Sequence, residues 1–405
     1  MNFDFTTMLE RHGKDALAVD GLRDNNRERN FAFSPSKPTN GKEAIPLWVA
    51  DMNFATSPAI PEAIIERAKH PAYGYYATPD AWYDAIISWH ERRNHVRFDR
   101  SWIGYENGVL GGLMSAVRSL EAPGSRILVN SPTYIGFTNA LTGGGYRLVT
   151  SELQKDSAGI FRMDLADMEE KLRKYHIHTA ICCSPHNPTG RVWERQELED
   201  MMALYRKYDV TVLCDEIWSD LILPGYTHTP LLSLGEDARN RTIAFYAPSK
   251  TYNLAGLIGS YHVIPNPALR DRVYRESMRT GYNHQCVLSM HALIAAYGKT
   301  SETWLEELKT VLNANVDFAM EETKKHLPGV SISRPQGTYM LWEDAGEYLR
   351  DHNLTLGDLV QKGWDAGVDW QSGEAFHGKT HIRLNLALPT AKLQEAYQRM
   401  ENEVF

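Results

Sequence analysis

The sequence lacks the features that mark membrane, secreted disulfide-rich and nucleic-acid-binding proteins. No apolar run approaches the roughly 18 residues that a membrane-spanning helix needs. Only four of the 405 residues are cysteines, and no pair has CxxC spacing. The net charge of −8 would repel nucleic acid on average. The N-terminus has no basic stretch followed by an apolar core, so no secretory signal is expected. We therefore expect a cytoplasmic protein without a membrane or nucleic-acid partner.

Metal-binding patterns and internal repeats are also missing. The fifteen histidines form no ligand spacing such as HExxH, so no metal site is predicted. What is present is an ordinary globular composition, with 43% hydrophobic and 23% charged residues. The length suits two domains, or one large domain with a smaller satellite.

Apolar strand-like runs alternate with helical patterns through the middle of the chain. Strands are predicted at 125–130, 146–151, 178–184, 210–216, 241–246 and 259–264. Helices are predicted between them, for example at 163–176 and 194–209. Because the strands are almost continuously apolar, the pattern predicts an α/β fold whose mostly parallel sheet is covered by helices on both faces.

The pattern changes near residue 286, which suggests a domain boundary within residues 265–300. Beyond it, a long amphipathic helix at about 302–327 precedes two strand-like runs, "GTYMLWED" and "THIRLNLAL". We expect an N-terminal arm (1–45) that contributes to the small domain, a large domain (46–285), and a small α+β C-terminal domain (286–405).

Polar residues follow three of the predicted strands at their carboxyl ends. Asn187 comes just after the strand at 178–184, Asp215 at the end of the next, and Lys250 after "RTIAFY". Each alone has an ordinary interpretation, such as a solvated loop lysine or a helix N-cap carboxylate. If the strands are neighbours, however, one βαβ crossover apart, the three side chains converge on one crevice.

Two further elements precede this trio. The stretch "YENGVLGGLMSAVRSL" (105–120) is a glycine-bearing turn that opens a helix, and the N–H groups of Val109, Leu110 and Gly111 would suit a phosphate. It is neither a P-loop nor a GxGxxG motif, and such a turn alone is weak evidence. Tyr134 follows a proline turn after another strand, where core packing is the ordinary alternative.

The five elements together describe a site for pyridoxal 5′-phosphate. An amine forms an imine with the aldehyde, and a carboxylate keeps the pyridine nitrogen protonated so that the ring accepts electrons. An amide can bind the ring hydroxyl oxygen, an aromatic side chain can stack on the ring, and a helix N-terminus can hold the phosphate. No element is specific alone, but their combination in this order is.

The sequence resembles the fold-type I pyridoxal-phosphate enzymes, aminotransferase class I/II, and within them the cystathionine β-lyase-like C–S lyase branch. The resemblance covers nearly the whole chain and rests on "PLWVADMNF" (46–54), "YGYY" (73–76), "SPHNPTG" (184–190), "CDEIWSDL" (214–221), "SKTYNLAGL" (249–257) and "HIRLNLALP" (381–389). "PLWVADM" and "SKTYNLAGL" indicate the branch.

The resemblance implies a role for each candidate residue. Lys250 would be the Schiff-base lysine, Asp215 would face the pyridine nitrogen, and Asn187 the ring hydroxyl. The remaining roles would be ring stacking by Tyr134, phosphate binding by the N–H groups of Val109 and Leu110, binding of the substrate α-carboxylate by Arg383, and contact with the neighbouring subunit's phosphate by Tyr75. That last role implies a homodimer.

The sequence also departs from the family pattern. Ala247 and Ile258 stand where many aminotransferases place a serine and an arginine on the phosphate, so Ser249, Tyr75 or other residues must compensate. Trp218 stands where the branch commonly has histidine, and Gly111-Gly112 replaces a Pro-Ala pair. These changes leave the substrate side chain open.

The activity implied by the resemblance is an α,β-elimination on cystathionine-like or cysteine-conjugate-like amino acids. Lys250 would remove the Cα proton, the hydroxyl of Tyr134 would assist proton transfers, and Asp215 would keep the ring nitrogen protonated, so these three are the expected catalytic residues. The products would be a keto acid, ammonia and a thiol. An aminotransferase would use the same residues, and a specialised biosynthetic enzyme of this fold is a further alternative. A regulatory protein without turnover is also conceivable, although the intact set of Lys250, Asp215, Asn187 and Arg383 argues against it.

Overall fold

The computed structural model describes residues 1–23 and 33–405, and a seven-stranded sheet lies at its centre. The strands are β1 (Ile45–Pro46), β2 (Ile103–Asn107), β3 (Arg126–Ser131), β4 (Arg147–Glu152), β5 (Gln154–Lys155), β6 (Phe161–Arg162), β7 (Thr179–Cys183), β8 (Thr211–Asp215), β9 (Thr242–Tyr246), β10 (Gly259–Val263), β11 (Ser331–Ile332), β12 (Met340–Asp344), β13 (Val368–Asp369), β14 (Gln371–Ser372) and β15 (His381–Asn385).

The α-helices connect and cover these strands. They are α1 (Leu17–Asp20), α2 (Ala59–Ala68), α3 (Asp80–Asn94), α4 (Val109–Leu120), α5 (Ile135–Gly143), α6 (Leu165–Tyr175), α7 (Arg195–Lys207), α8 (Glu236–Arg241), α9 (Pro267–Thr280), α10 (Val287–Ala296), α11 (Lys299–His326), α12 (Gly346–Asp351), α13 (Leu356–Asp365) and α14 (Thr390–Glu403).

The large sheet has the strand order β2-β10-β9-β8-β7-β3-β4. Its five strands from β9 to β4 run parallel, whereas β10 is antiparallel to both of its neighbours. All six predicted strands belong to this sheet, and the predicted α/β fold with a mostly parallel sheet is confirmed. The edge strand β2 was not predicted.

Both faces of the central strands β7, β8 and β9 are buried, which explains why these strands are largely apolar without alternation. In β8, Val212 and Cys214 join one hydrophobic core, while Leu213 faces a second core on the opposite side. Helices α4 and α5 contribute side chains to that second core. Because successive side chains of a strand point to opposite faces, a two-sided core requires every position to be apolar.

A four-stranded antiparallel sheet of order β11-β12-β15-β14 forms towards the C-terminus. Strand β1, near residue 45, pairs in parallel with β13 and so ties the start of the chain to this later region. The division at residues 45 and 285 stays a prediction, and residues 24–32 of the predicted arm lie outside the described residues. No helix in the described part of the chain is long and apolar enough to cross a membrane.

Candidate active site

The carboxyl ends of the central strands open onto one cavity of about 180 Å³. Asp215 is the last residue of β8, where it pairs with Cys183 of β7 and Phe245 of β9. The candidate residues that line the cavity are Val109, Leu110, Tyr134, Asn187, Asp215, Ser249 and Lys250. The structure therefore brings together residues from positions 109 to 250, because parallel strands present their ends at the same edge of a sheet.

The phosphate-binding turn predicted at the start of α4 lies on the wall of this cavity. Gly108 precedes the helix with a φ of +77°, a conformation that L-residues rarely adopt, and its N–H donates to the carbonyl of Ile258 at 3.1 Å. The first N–H groups of a helix have no acceptor within it. Val109 and Leu110 line the cavity, so these N–H groups and the positive helix end suit a phosphate there.

Asp215 supplies a buried carboxylate to the same cavity and is only 5% exposed. Burial raises the pKa of Asp215 to about 6, although the N–H of Ile217, donating at 3.0 Å, and the charge of Lys250 act in the opposite direction. Within the described residues it forms no salt bridge. A buried carboxylate of this kind gains from a cationic partner such as a protonated ring nitrogen.

Lys250 is held over the cavity by a short hydrogen bond. Its Nζ donates to the carbonyl of Ala50 at 2.7 Å and lies 5.7 Å from the ring centroid of Trp218. Burial lowers the pKa of Lys250 to about 8, helped by Arg383 and opposed by Asp51 and Asp215. The lowered pKa leaves a larger fraction of neutral amine near pH 7, and the neutral amine is the nucleophilic form.

Arg383, in the middle of β15, is buried among neutral acceptors. Its Nη2 donates to the carbonyl of Trp48 at 2.9 Å and to Oε1 of Gln371 at 2.6 Å, and its Nη1 donates to Oδ1 of Asn187 at 3.2 Å. Its Nε is buried without a partner, and burial lowers the pKa of Arg383 to about 10. With no carboxylate partner among the described residues, this charge suits the carboxylate of a ligand.

Tyr134 reaches the cavity because of a glycine two residues later. A Cβ on Gly136 would lie 2.3 Å from Cε1 of Tyr134, so any larger residue would displace the ring. The ring also meets Phe137 edge-on, with centroids 5.3 Å apart. Burial raises the pKa of Tyr134, so its hydroxyl is protonated at neutral pH. Tyr134 thus packs against the hydrophobic core and also lines the cavity.

Tyr75 is the one candidate residue that the chain does not bring to its own cavity or to a residue lining it. It lies between α2 and α3 and is fully exposed, at 111% of the reference area. Its predicted contact with a neighbouring subunit stays a prediction.

Sequence reasoning missed several residues around Lys250 and Arg383. These are Ala50, Gln371 and Phe376, the last of which stacks against the Arg383 guanidinium at 4.4 Å. Ala50 acts through its backbone carbonyl, which no residue type signals, although it falls within "PLWVADMNF". Gln371 and Phe376 carry no recognisable motif.

The donor set fits pyridoxal 5′-phosphate. The cavity offers unbonded helix N–H groups for the phosphate, a buried carboxylate for the ring nitrogen, and an amine of lowered pKa for the aldehyde. The unpartnered Nε of Arg383 leaves a donor for a carboxylate beside them. A mostly parallel sheet with helices on both faces, and a cavity with these groups at the carboxyl ends of its strands, define a fold-type I pyridoxal-phosphate protein.

Comparison with known proteins agrees. The family model described as aminotransferase class I and II matches residues 42–400, so the chain belongs to that family. A cystathionine beta-lyase, PatB, from Bacillus subtilis (strain 168) is 34% identical over 364 residues, which cover 89% of this chain and 92% of PatB.

Solved structures extend the similarity over the whole chain. Cystalysin from Treponema denticola, whose structure contains pyridoxal 5′-phosphate, has a TM-score of 0.89 and 28% identity, covering 99% of this chain and 98% of that one. A pyridoxal-phosphate-bound C–S lyase from Staphylococcus hominis has a TM-score of 0.87 and 27% identity, covering 100% and 98%. The predicted family and its C–S lyase branch are confirmed.

Proposed function

We propose that this protein is a pyridoxal 5′-phosphate-dependent C–S β-lyase. Its substrate would be an L-amino acid with sulfur on Cβ, such as cystathionine or a cysteine conjugate. The observation that carries the proposal is that the amine of Lys250, the carboxylate of Asp215 and the first turn of α4 line one cavity. The similarity to cystathionine beta-lyase and C–S lyases supports the choice of reaction.

When bound, pyridoxal 5′-phosphate would supply an aldehyde that joins to amines and a protonated ring that accepts electrons. The first turn of α4 would bind its phosphate and Asp215 would hold the proton on its ring nitrogen. Asn187 lines the cavity, and its Oδ1 accepts a hydrogen bond from Nη1 of Arg383. Its amide nitrogen would then donate to the ring hydroxyl oxygen.

The substrate steps use Arg383 and Lys250. Arg383 would bind the α-carboxylate and thereby place the Cα–H bond near Lys250, a positioning that lowers the activation free energy. The neutral amine of Lys250 would take the Cα proton, and the Cβ–S bond would break, with its electron pair leaving on sulfur as a thiolate. With one water consumed, the products would be a keto acid, ammonia and a thiol.

Keto acid release tests this proposal. The purified protein with its cofactor should convert cystathionine to pyruvate, ammonia and homocysteine when no keto acid is added, as followed by ammonia and free-thiol assays. Lys250→Ala should abolish release, because no other described amine lines the cavity. A reaction that strictly requires an added keto acid and liberates no ammonia would overturn the lyase proposal.

An aminotransferase is the second candidate, favoured by the family description itself. It would use the same residues: Lys250 would take up and release the Cα proton while the Cβ–S bond stays intact, and the amino group would pass to an added keto acid. A specialised biosynthetic enzyme is the third, since Trp218 is 2% exposed and meets Tyr339 edge-on at 4.7 Å, filling space beside Lys250. A panel of cysteine conjugates with differing sulfur substituents separates this case from cystathionine cleavage.

We further propose that the working unit is a homodimer in which Tyr75 reaches the neighbouring phosphate. The support is a group of three neighbouring aromatic side chains, Tyr73, Tyr75 and Tyr76, all of which are exposed to solvent. A contiguous group of exposed apolar side chains commonly marks a binding surface. Exposed aromatic side chains are enriched in interfaces between subunits. The cytoplasmic location stays a prediction.

A further inference from the structure

Tyr282 lies directly over the first turn of α4. It belongs to the segment 281–286 between α9 and α10. A Cβ on Gly111 would lie 3.1 Å from Cε2 of Tyr282, closer than an ordinary van der Waals contact. The ring therefore occupies the space that a side chain at position 111 would fill, which explains the first glycine of the Gly111-Gly112 departure.

The hydroxyl of Tyr282 is anchored to a buried carboxylate. It donates to Oε2 of Glu106, which is fully buried in β2. The other oxygen of Glu106 accepts from Nδ1 of His262 at 2.6 Å. Gly112 belongs to the same contact, because a Cβ there would lie 2.8 Å from Cγ of Glu106. Both glycines thus make room for the Tyr282–Glu106 pair.

The segment is also hydrogen-bonded to the end of β2, which leads into the first turn of α4. Nδ2 of Asn107, which precedes Gly108, donates to the carbonyl of Tyr282. Nδ2 of Asn283 donates to the carbonyl of Tyr105 at 3.2 Å. Two consecutive residues of the segment therefore hold both the end of β2 and the beginning of α4.

We propose that Tyr282 is a positioning residue for cofactor binding, because it fixes the first turn of α4 in the orientation that presents its N–H groups to the phosphate. Tyr282 does not line the cavity and acts only through Gly111 and Glu106. Preorganised donors bind more tightly because less motion is lost on binding. The inference rests on the proposed use of pyridoxal 5′-phosphate.

The test compares two probes that differ only in the phosphate. The affinity of the cofactor-free protein is measured for pyridoxal 5′-phosphate and for pyridoxal, by absorbance titration. Tyr282→Phe removes the hydroxyl that Glu106 accepts, and we expect it to weaken pyridoxal 5′-phosphate binding about 3- to 10-fold. Pyridoxal binding should stay near the wild-type value. Tyr274→Phe is the control, since Tyr274 is a 61% exposed tyrosine on α9.

Gly111→Ala tests the contact between Gly111 and the Tyr282 ring by changing the other residue of the pair. The substitution keeps the backbone N–H of residue 111. It should weaken pyridoxal 5′-phosphate binding in the wild-type protein, because its Cβ would press on the Tyr282 ring. In a Tyr282→Ala background it should have almost no further effect, and this coupling is what a double-mutant cycle measures.

Three results would overturn the inference: Tyr282→Phe with wild-type affinity for pyridoxal 5′-phosphate, equal losses for both probes, or additive effects of Gly111→Ala and Tyr282→Ala. If Tyr282→Phe fails to fold, the Gly111→Ala comparison of the two probes decides alone. Failure of the proposed lyase function has a different signature, because the wild-type protein would then still bind pyridoxal 5′-phosphate but release no ammonia or thiol from cystathionine. A wild-type protein that binds neither probe would instead contradict the use of this cofactor.

Discussion

At the scale of single residues, the charges around Lys250 decide at which pH its amine is neutral. Burial lowers its pKa to about 8, with Arg383 acting in the same direction and two carboxylates, Asp51 and Asp215, opposing it. Asp51 is itself held by Arg11, whose Nη2 lies 2.5 Å from Oδ2 of Asp51. Because the neutral amine is the reactive form, attack on an aldehyde should accelerate as the pH rises through this range.

The first prediction concerns how substitutions move this pH dependence. The rate at which the cofactor-free protein joins to pyridoxal 5′-phosphate should rise with pH around a midpoint near 8, the pKa of Lys250. Arg383→Gln should shift the midpoint upward, because it removes a positive charge that lowers this pKa. Asp51→Asn should shift it downward, because it removes a negative charge that raises it.

Stopped-flow absorbance across pH 6 to 10 measures these midpoints. The titration of the cofactor itself is common to all variants and cancels in the comparison. Arg275→Gln, on the exposed side of α9, is the control and should leave the midpoint unchanged. Shifts of the wrong sign would show that these charges do not act on Lys250.

At the scale of elements, a buried glutamate joins three pieces of the small sheet region. Glu343 of β12 is fully buried, and its Oε1 accepts from Thr323 of α11 and from Tyr397 of α14, both at 3.1 Å. Its Oε2 has no partner. Burial raises the pKa of Glu343 to about 7, because the hydrogen bonds do not offset the loss of hydration.

The second prediction follows from this raised pKa. Between the ordinary value of 4.5 and the folded value of about 7, the folded state holds a proton that the unfolded state has lost. The contribution of Glu343 to the free energy of unfolding is therefore fully present below pH 4.5 and is lost as the pH rises to 7. Glu343→Gln removes the titration while keeping an oxygen that accepts both hydrogen bonds.

Denaturant unfolding at pH 5 and pH 8 measures the effect. The stability of Glu343→Gln relative to wild type should improve by on the order of 1–3 kcal/mol between these pH values. Glu347→Gln, an exposed position on α12, serves as the control and should show no such change. An equal difference at both pH values would contradict the prediction.

At the scale of the whole molecule, the position of Tyr75 bears on how many chains complete one site. Tyr75 is fully exposed, and the described chain offers no contact between it and the cavity. If the proposed dimer forms, Tyr75 of one subunit serves the cavity of the other, so the two defects Tyr75→Ala and Lys250→Ala can complement each other.

The third prediction is restored activity in mixed dimers. Each variant alone should have low activity, but co-refolding equal amounts should yield about a quarter of the wild-type activity, because half of the dimers are mixed and each mixed dimer has one intact site. Mixing Lys250→Ala with Asp215→Ala is the control: both residues act within their own subunit, so a mixed dimer carries one defect in each cavity and has no intact site.

Lys250 and Asp215 line the same cavity of one chain, so a mixed dimer of these variants has one defect in each cavity and no intact site. Its activity should stay low. If activity recovers in the Tyr75→Ala and Lys250→Ala mixture but not in this control, Tyr75 acts on the cavity of the neighbouring subunit. If activity recovers in neither mixture, Tyr75 acts within its own chain or not at all.

Much of the large sheet could be predicted because its signal is local. Strands such as β8, "TVLCD", are apolar at nearly every position because both faces are buried, and their ends carry the polar residues. The strand β2, "IGYEN", was missed because only some of its residues are buried and its pairing with β10 is antiparallel at the sheet edge. Nothing in its own residues distinguishes it from a loop.

The sequence by itself determined the parallel sheet, the chain order of the chemical groups and the family, because periodicity and motifs are properties of neighbouring residues. Only the tertiary structure decided the environment of those groups. The bond from Lys250 to Ala50 spans 200 residues, and the bond from Arg383 to Trp48 spans 335. Burial and charge at such contacts set the pKa values, and they exist only once distant segments meet.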